Sequence, residues 1–206
     1  MTTDISDHHT LKAAFETSLS KYADRTAVRA PKSGETLTYE DLDTRSNAVA
    51  TGLRERGVSQ GDRVALLMSN CVEYIISDLG VIKAGGVKVP LNDMLNEGEI
   101  RHILSDSRAE TIVCGPNFIE TVATLESDIQ TLERIIAVTK NSTSLPDGFE
   151  RFEELETMAT GETSPNVDLT ENDTVAQYYT GGTTGKPKGV IQSHESMTLN
   201  SYAHVI

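Results

Sequence analysis

Apolar positions along the chain fall into two rhythms, one recurring every three or four residues and one of short unbroken runs. Residues 11–22 read as a first helix and 26–29 as a short strand, with a turn at 31–34 that holds Pro31 and Gly34. Thr38 stands three residues before Asp41, the spacing at which a hydroxyl and an acid each satisfy a helix-start amide. The helix behind it carries Tyr39, Leu42, Val49 and Leu53 on one face, and Gly57 is placed to end it in a left-handed conformation. The run 63–68 predicts a buried strand, and Asn70 is placed to cap a helix reaching Ala84. Gly85 and Gly86 then break the chain before a strand at 87–89, which Pro90 is expected to close. Asn96 with Glu99 marks the next helix start, and Ile100, Ile103 and Leu104 form its apolar stripe. Strands are expected at 111–114 and 134–139, separated by a turn at Gly115 and Pro116 and a helix over 118–125.

Strand and helix alternating at this spacing predict an α/β fold, a parallel sheet layered with helices. In such sheets ligands gather at the carboxyl ends of the strands, so the segments that follow strands become the places to search. Polar loops at 140–148 and 159–173 are too short to mark a domain linker, and no internal repeat is present. The chain therefore divides into a polar tail at 1–10, expected to be flexible, and one folded unit at 11–206.

Composition adds to this picture. Hydrophobic residues make up 37% and charged residues 24% of 206 residues, which is ordinary for a globular chain. No apolar run is long enough for a membrane span and the first residues lack a secretory pattern, so the cytoplasm is the expected location. The net charge of −13 argues against nucleic acid as a partner. It also suggests a host with a salty interior, where self-repulsion is screened. Cys71 and Cys114 are expected to be buried free thiols, and without a Cys-x-x-Cys or paired Cys/His spacing no structural metal is expected.

Candidate chemistry concentrates at 178–190, Tyr-Tyr-Thr-Gly-Gly-Thr-Thr-Gly-Lys-Pro-Lys-Gly-Val. It follows a predicted strand at 174–179 and precedes one at 190–192. Gly181, Gly182 and Gly185 allow positive φ and close approach of a ligand to the backbone. Thr180, Thr183 and Thr184 add hydroxyls, and Lys186 and Lys188 add charge, so the segment reads as a phosphate cradle. The Walker pattern fails, because Thr180 stands where it needs glycine and Pro187 where it needs Ser or Thr. The dinucleotide pattern fails at Thr180 as well, and it would lie after the first strand rather than this late.

The segment Thr-Gly-Gly-Thr-Thr-Gly-x-Pro-Lys-Gly-Val resembles the phosphate loop of the adenylate-forming (AMP-binding) superfamily, in particular its acyl-CoA synthetases and fatty-acid–CoA ligases. Residues 36–42, 57–64 and 83–91 are similar to the family's N-terminal landmarks and stand in family order. The resemblance implies ATP-dependent activation of a small-molecule carboxylic acid, expected to be a fatty acid, to an acyl-adenylate and then to a coenzyme A thioester. It implies that Thr180, Gly181, Gly182, Thr183, Thr184, Gly185 and Lys188 wrap the β- and γ-phosphates of ATP. Lys188 takes the catalytic role, since it matches the family lysine while Lys186 falls at a variable position.

By the same resemblance, 11–206 is part of an adenylation domain whose remainder is missing. The Mg²⁺ ligand, ribose site, acyl pocket and C-terminal lysine would lie elsewhere, and the 206-residue chain alone is expected to be inactive. A separate chain could supply the remainder. The alternative is a non-catalytic nucleotide-binding remnant or the partner subunit of a split ligase. A kinase-like NTPase is disfavoured by the failed Walker pattern. Smaller expectations complete the reading. His194 is a polar residue at a helix start and His102 a surface or packing residue. Glu153 and Glu154 are solvated, and at least one of Tyr178 and Tyr179 is core.

Overall fold

The computed structural model describes residues 9–139, 144–158, 163–182 and 185–203. Helix α1 (Leu11–Tyr22) is capped by Thr10, whose Oγ1 accepts the Ala13 N–H at 3.2 Å. Of the expected tail, residues 1–8 lie outside the described residues, while His9 Nδ1 sits 2.9 Å from the Glu171 carboxylate. A two-stranded antiparallel ribbon follows, β1 (Thr26–Ala30) with β2 (Glu35–Thr38). Thr38 then opens α2 (Tyr39–Glu55) with the expected reciprocal cap: its Oγ1 accepts the Asp41 N–H at 3.0 Å while the Asp41 carboxylate accepts the Thr38 N–H at 2.9 Å. Gly57 lies just past the helix end at φ +90°, a conformation that a Cβ would strain.

From here the chain winds one sheet. Its elements in order are β3 (Arg63–Leu67), α3 (Val72–Ala84), β4 (Val87–Leu91), α4 (Glu97–Ser107), β5 (Thr111–Cys114), α5 (Ile119–Leu125) and β6 (Arg134–Ala137). They are followed by β7 (Phe149–Arg151), α6 (Phe152–Met158), β8 (Thr174–Gly182), β9 (Gly185–Ser193) and α7 (His194–Ala203). The seven strands lie in the order β7-β6-β5-β3-β4-β8-β9, parallel throughout except for the antiparallel β8–β9 pair at one edge. This is the expected α/β sheet.

The strands read as unbroken apolar runs because both faces are covered, and their residues sort by parity. Leu66, Val113 and Ile136 point to the layer that holds Leu53, Ile76 and Phe152. Their neighbours Leu67, Ile112 and Ile135 point to the layer that holds Ile100, Leu104 and Val122. Truncating one of these fully buried side chains to alanine costs about 2–5 kcal/mol.

Several expectations are corrected in detail. Asn70 does not cap α3: the N-cap is Cys71, without a side-chain cap bond, and the helix begins at Val72, which the core buries to 2% exposure. Pro90 does not close β4, which runs on to Leu91, because an extended strand tolerates proline's φ and loses only one donor. Strand β6 ends at Ala137, two residues early, because Glu153 takes over beyond it: its carboxylate accepts the Thr139 N–H and Oγ1–H, each at 3.0 Å. Glu153 is therefore a tie between elements and not solvated surface. Tyr178 and Tyr179 do point to opposite layers, but both stay half-buried, since they sit near the sheet's edge.

Candidate functional site

Residues 178–190 form less of a loop than the sequence suggests. Most of them are strand: the antiparallel register pairs Tyr178 with Val190, Tyr179 with Gly189, Thr180 with Lys188 and Gly182 with Gly185. Of these, Thr183 and Thr184 lie outside the described residues. The register slips by one between Thr180 and Gly182, so Lys186 and Pro187 together oppose Gly181. That is a β-bulge, and Pro187, which has no N–H to pair, sits in it.

Its position agrees with the search rule for parallel sheets. Lys88 is level with Ala176 across the β4–β8 pair, so Leu91, the last residue of β4, is level with Tyr179. Residues 180–182 thus project past the carboxyl edge of the neighbouring strand. Thr180 and Lys188 are both exposed, and as directly opposed residues they present hydroxyl and ammonium on one face, with Cβ atoms about 5 Å apart. Gly181 is exposed and a Cβ there would meet nothing within 4 Å, but its φ is not positive. What glycine offers at this position is uncovered backbone, not the left-handed conformation expected.

Behind this face the hairpin is fastened to α4. His102 Nε2 lies 2.9 Å from the Pro187 carbonyl oxygen, which can only accept, so Nε2 carries the proton. Tyr179 donates its phenolic proton to the Asp106 carboxylate at 2.7 Å and accepts from Gln177 Nε2 at 2.9 Å. Burial, followed by the hydrogen bond and charge of Asp106, pushes the Tyr179 hydroxyl well above its ordinary range. An open groove of about 620 Å³ runs between α4 and β9, lined by Asn96, Glu99, Arg101, His102, Lys186 and Pro187. His102 is therefore a contact residue of the hairpin. His102 and Asp106 were legible in principle as an i, i+4 pair on one helix face, but nothing in the sequence says what that face meets.

His194 opens α7, as expected, but its role is to close the fold. It is 2% exposed, and its Nδ1 accepts the Leu11 N–H at 3.2 Å, filling one of the unpaired donors at the start of α1. Burial lowers its pKa, with Asp173 partly opposing. Cys71 and Cys114 are free, half-buried and buried respectively, and burial pushes their thiols up to about 11 and about 12, so neither is a ready thiolate. Among the described residues no group of three His, Cys, Asp or Glu is arranged to hold a metal ion. None of the described helices is long and apolar enough to cross a membrane.

A mostly parallel seven-strand sheet covered by helices on both faces, with a hairpin of glycines, threonine and lysine projecting past its carboxyl edge, defines an α/β protein. Comparison with known proteins makes this specific: the AMP-binding enzyme family profile matches residues 15–206, and the chain belongs to that family. Among its relatives is a medium/long-chain-fatty-acid–CoA/3-oxocholest-4-en-26-oate–CoA ligase of Mycobacterium marinum, 33% identical over 79% of this chain and 30% of the relative. A feruloyl-CoA synthase of Amycolatopsis is 36% identical over 85% of this chain and 31% of the relative. The chain thus spans about 30% of the length of these relatives. Among solved structures, the N-terminal domain of FACL13 from Mycobacterium tuberculosis superimposes with a TM-score of 0.83 at 28% identity, covering 95% of this chain and 47% of that one. The anthranilate–CoA ligase AuaEII, solved with anthranoyl-AMP, gives 0.83 at 25% identity over 94% and 37%.

Proposed function

We propose that the β8–β9 hairpin holds the β- and γ-phosphates of ATP, and that the protein carrying it activates a carboxylic acid to an acyl-adenylate and then to its coenzyme A thioester. The observation that carries this reading is the exposed Thr180–Lys188 pair, two opposed side chains past the carboxyl edge of the sheet. Lys188 supplies the charge that offsets negative charge developing as pyrophosphate leaves. The Thr180 hydroxyl and the backbone at Gly181, Gly182, Thr183, Thr184 and Gly185 supply donors. ATP enters as its magnesium complex.

The acid we propose is a fatty acid, in keeping with the mycobacterial relative. The feruloyl relative supports an aryl acid as the second reading. Pyrophosphate exchange in the full protein, driven by palmitate, octanoate or ferulate, separates the two. Lys188→Ala is expected to lower that exchange about 100-fold, the size of loss typical for removing a transition-state donor. Lys186→Ala is expected to stay within about threefold, because its side chain borders the groove at the bulge. Equal losses in the two variants would remove Lys188 from its proposed role.

A further inference from the structure

We propose that helix α4 sets the position of the hairpin, with His102 and Asp106 as positioning residues for Lys188. This rests on the phosphate reading above. The two anchors fall on either side of the functional pair: Tyr179, held by Asp106, directly precedes Thr180, and Pro187, held by His102, directly precedes Lys188. His102 and Asp106 are one turn apart on α4, about 6 Å along its axis, so they grip one residue on each strand of the hairpin.

The platform is stiff at its start. Asn96 Oδ1 accepts the Glu99 N–H at 3.0 Å and the Glu99 carboxylate accepts the Asn96 N–H at 2.9 Å. The anchors also support each other, since the His102 and Tyr179 rings meet edge to face with centroids 6.4 Å apart.

Gly189 is part of the same device. It lies opposite Tyr179, and a Cβ there would come within 2.5 Å of Gln177 Nε2 and 3.2 Å of the Tyr179 hydroxyl. The missing side chain is what lets the tyrosine lie across β9 and reach Asp106. A bulged edge strand without these anchors would let the ammonium of Lys188 wander. Small displacements of a positioned group cost rate steeply, and ordering it only when the ligand arrives weakens binding.

The test combines hydrogen exchange of the β9 amides with MgATP titration, in the full protein and its variants. His102→Ala and Tyr179→Phe are each expected to speed exchange at 188–192 about tenfold and to weaken MgATP by a similar factor, the worth of one lost hydrogen bond. His102→Gln, whose amide can donate in place of Nε2–H, is expected to restore both. Tyr179→Phe removes a single oxygen, so it decides the matter if His102→Ala does not fold. Unchanged exchange in both variants overturns the platform. Faster exchange with unaltered MgATP affinity, while Lys188→Ala weakens it, overturns the positioning role. MgATP affinity indifferent to Lys188→Ala overturns the phosphate reading instead, and the exchange rates still decide whether α4 holds the hairpin.

Discussion

Two regions of this protein use lysine in opposite ways. Between α2 and α3, Lys83 is fully buried, and its ammonium donates to the Asp43 carboxylate, Ser46 Oγ and Asn47 Oδ1, each at 2.7 Å, with the Phe15 ring 5.0 Å away. On the hairpin, Lys188 is exposed, and among the described residues its ammonium has no hydrogen bond or ion pair. Both stand within the residues that the family profile matches. The lesson is that a lysine whose donors are all taken holds helices together, whereas one kept at a sheet edge remains available to an anion. Desolvation lowers the pKa of Lys83 and Asp43 opposes it, so this charge is held by its partners and not by water.

Substitutions at the two lysines should separate these roles. The largest effect is expected from Lys83→Met, which takes the cation from the buried Ser46 and Asn47 and from Asp43, whose side chain is 23% exposed. A loss of about 3–5 kcal/mol by urea unfolding is expected, and a loss under about 1 kcal/mol would mean the network relaxes freely. Lys188→Ala should do the reverse, leaving stability within about 0.5 kcal/mol while exchange of pyrophosphate collapses. A large drop in stability there would make the hairpin lysine structural too.

Gly189→Ala sharpens the contrast from the backbone side. Overpacking against Gln177 and Tyr179 should cost about 1–3 kcal/mol, and Gln177→Ala in the same chain should return part of it. No recovery would place the strain elsewhere.

The smallest effect is a pH dependence. His194 is held neutral by burial, so its folded pKa lies below 6.5 while the unfolded chain takes up a proton near that value. Stability should therefore fall as pH drops through about 6.5 and level off below the folded pKa. Asp173, lowered by its hydrogen bonds to Thr170, acts in a separate window below 3.8. Melting temperatures between about pH 7.5 and 5.5 should slope less in His194→Asn than in the parent chain, and an equal slope would assign the effect to another group.

Much of the sheet was legible from local chemistry. The apolar run of β5, the starts of β3 and β6 and the reciprocal caps at Thr38 and Asn96 depend on residues a few positions apart, and those stand as expected. The chemistry-bearing segment was legible as a string of residue types. Its form was not, because glycine-rich sequence suggests a loose loop while the pairing of Thr180 with Lys188 depends on strand register. Least legible were the ties across the fold. Nothing local marks His102 as a partner of Pro187, Tyr179 as a partner of Asp106, or Glu153 as the end of β6. Asn70 failed for a related reason: its capping chemistry was right, but burial of Val72 decided where α3 begins.

The bond from the Leu11 N–H to the His194 ring spans 183 residues. A ribosome adding about 5–20 residues per second takes on the order of 10–40 s to make the second partner after the first. During that interval the newborn first helix lacks this closing contact, so any early docking of α1 onto the growing sheet must be provisional. The β8–β9 pair and the histidine behind it then act as a latch fitted after the strands that precede them are made. Until His194 is made, α1 can be held only by contacts with residues synthesised before it.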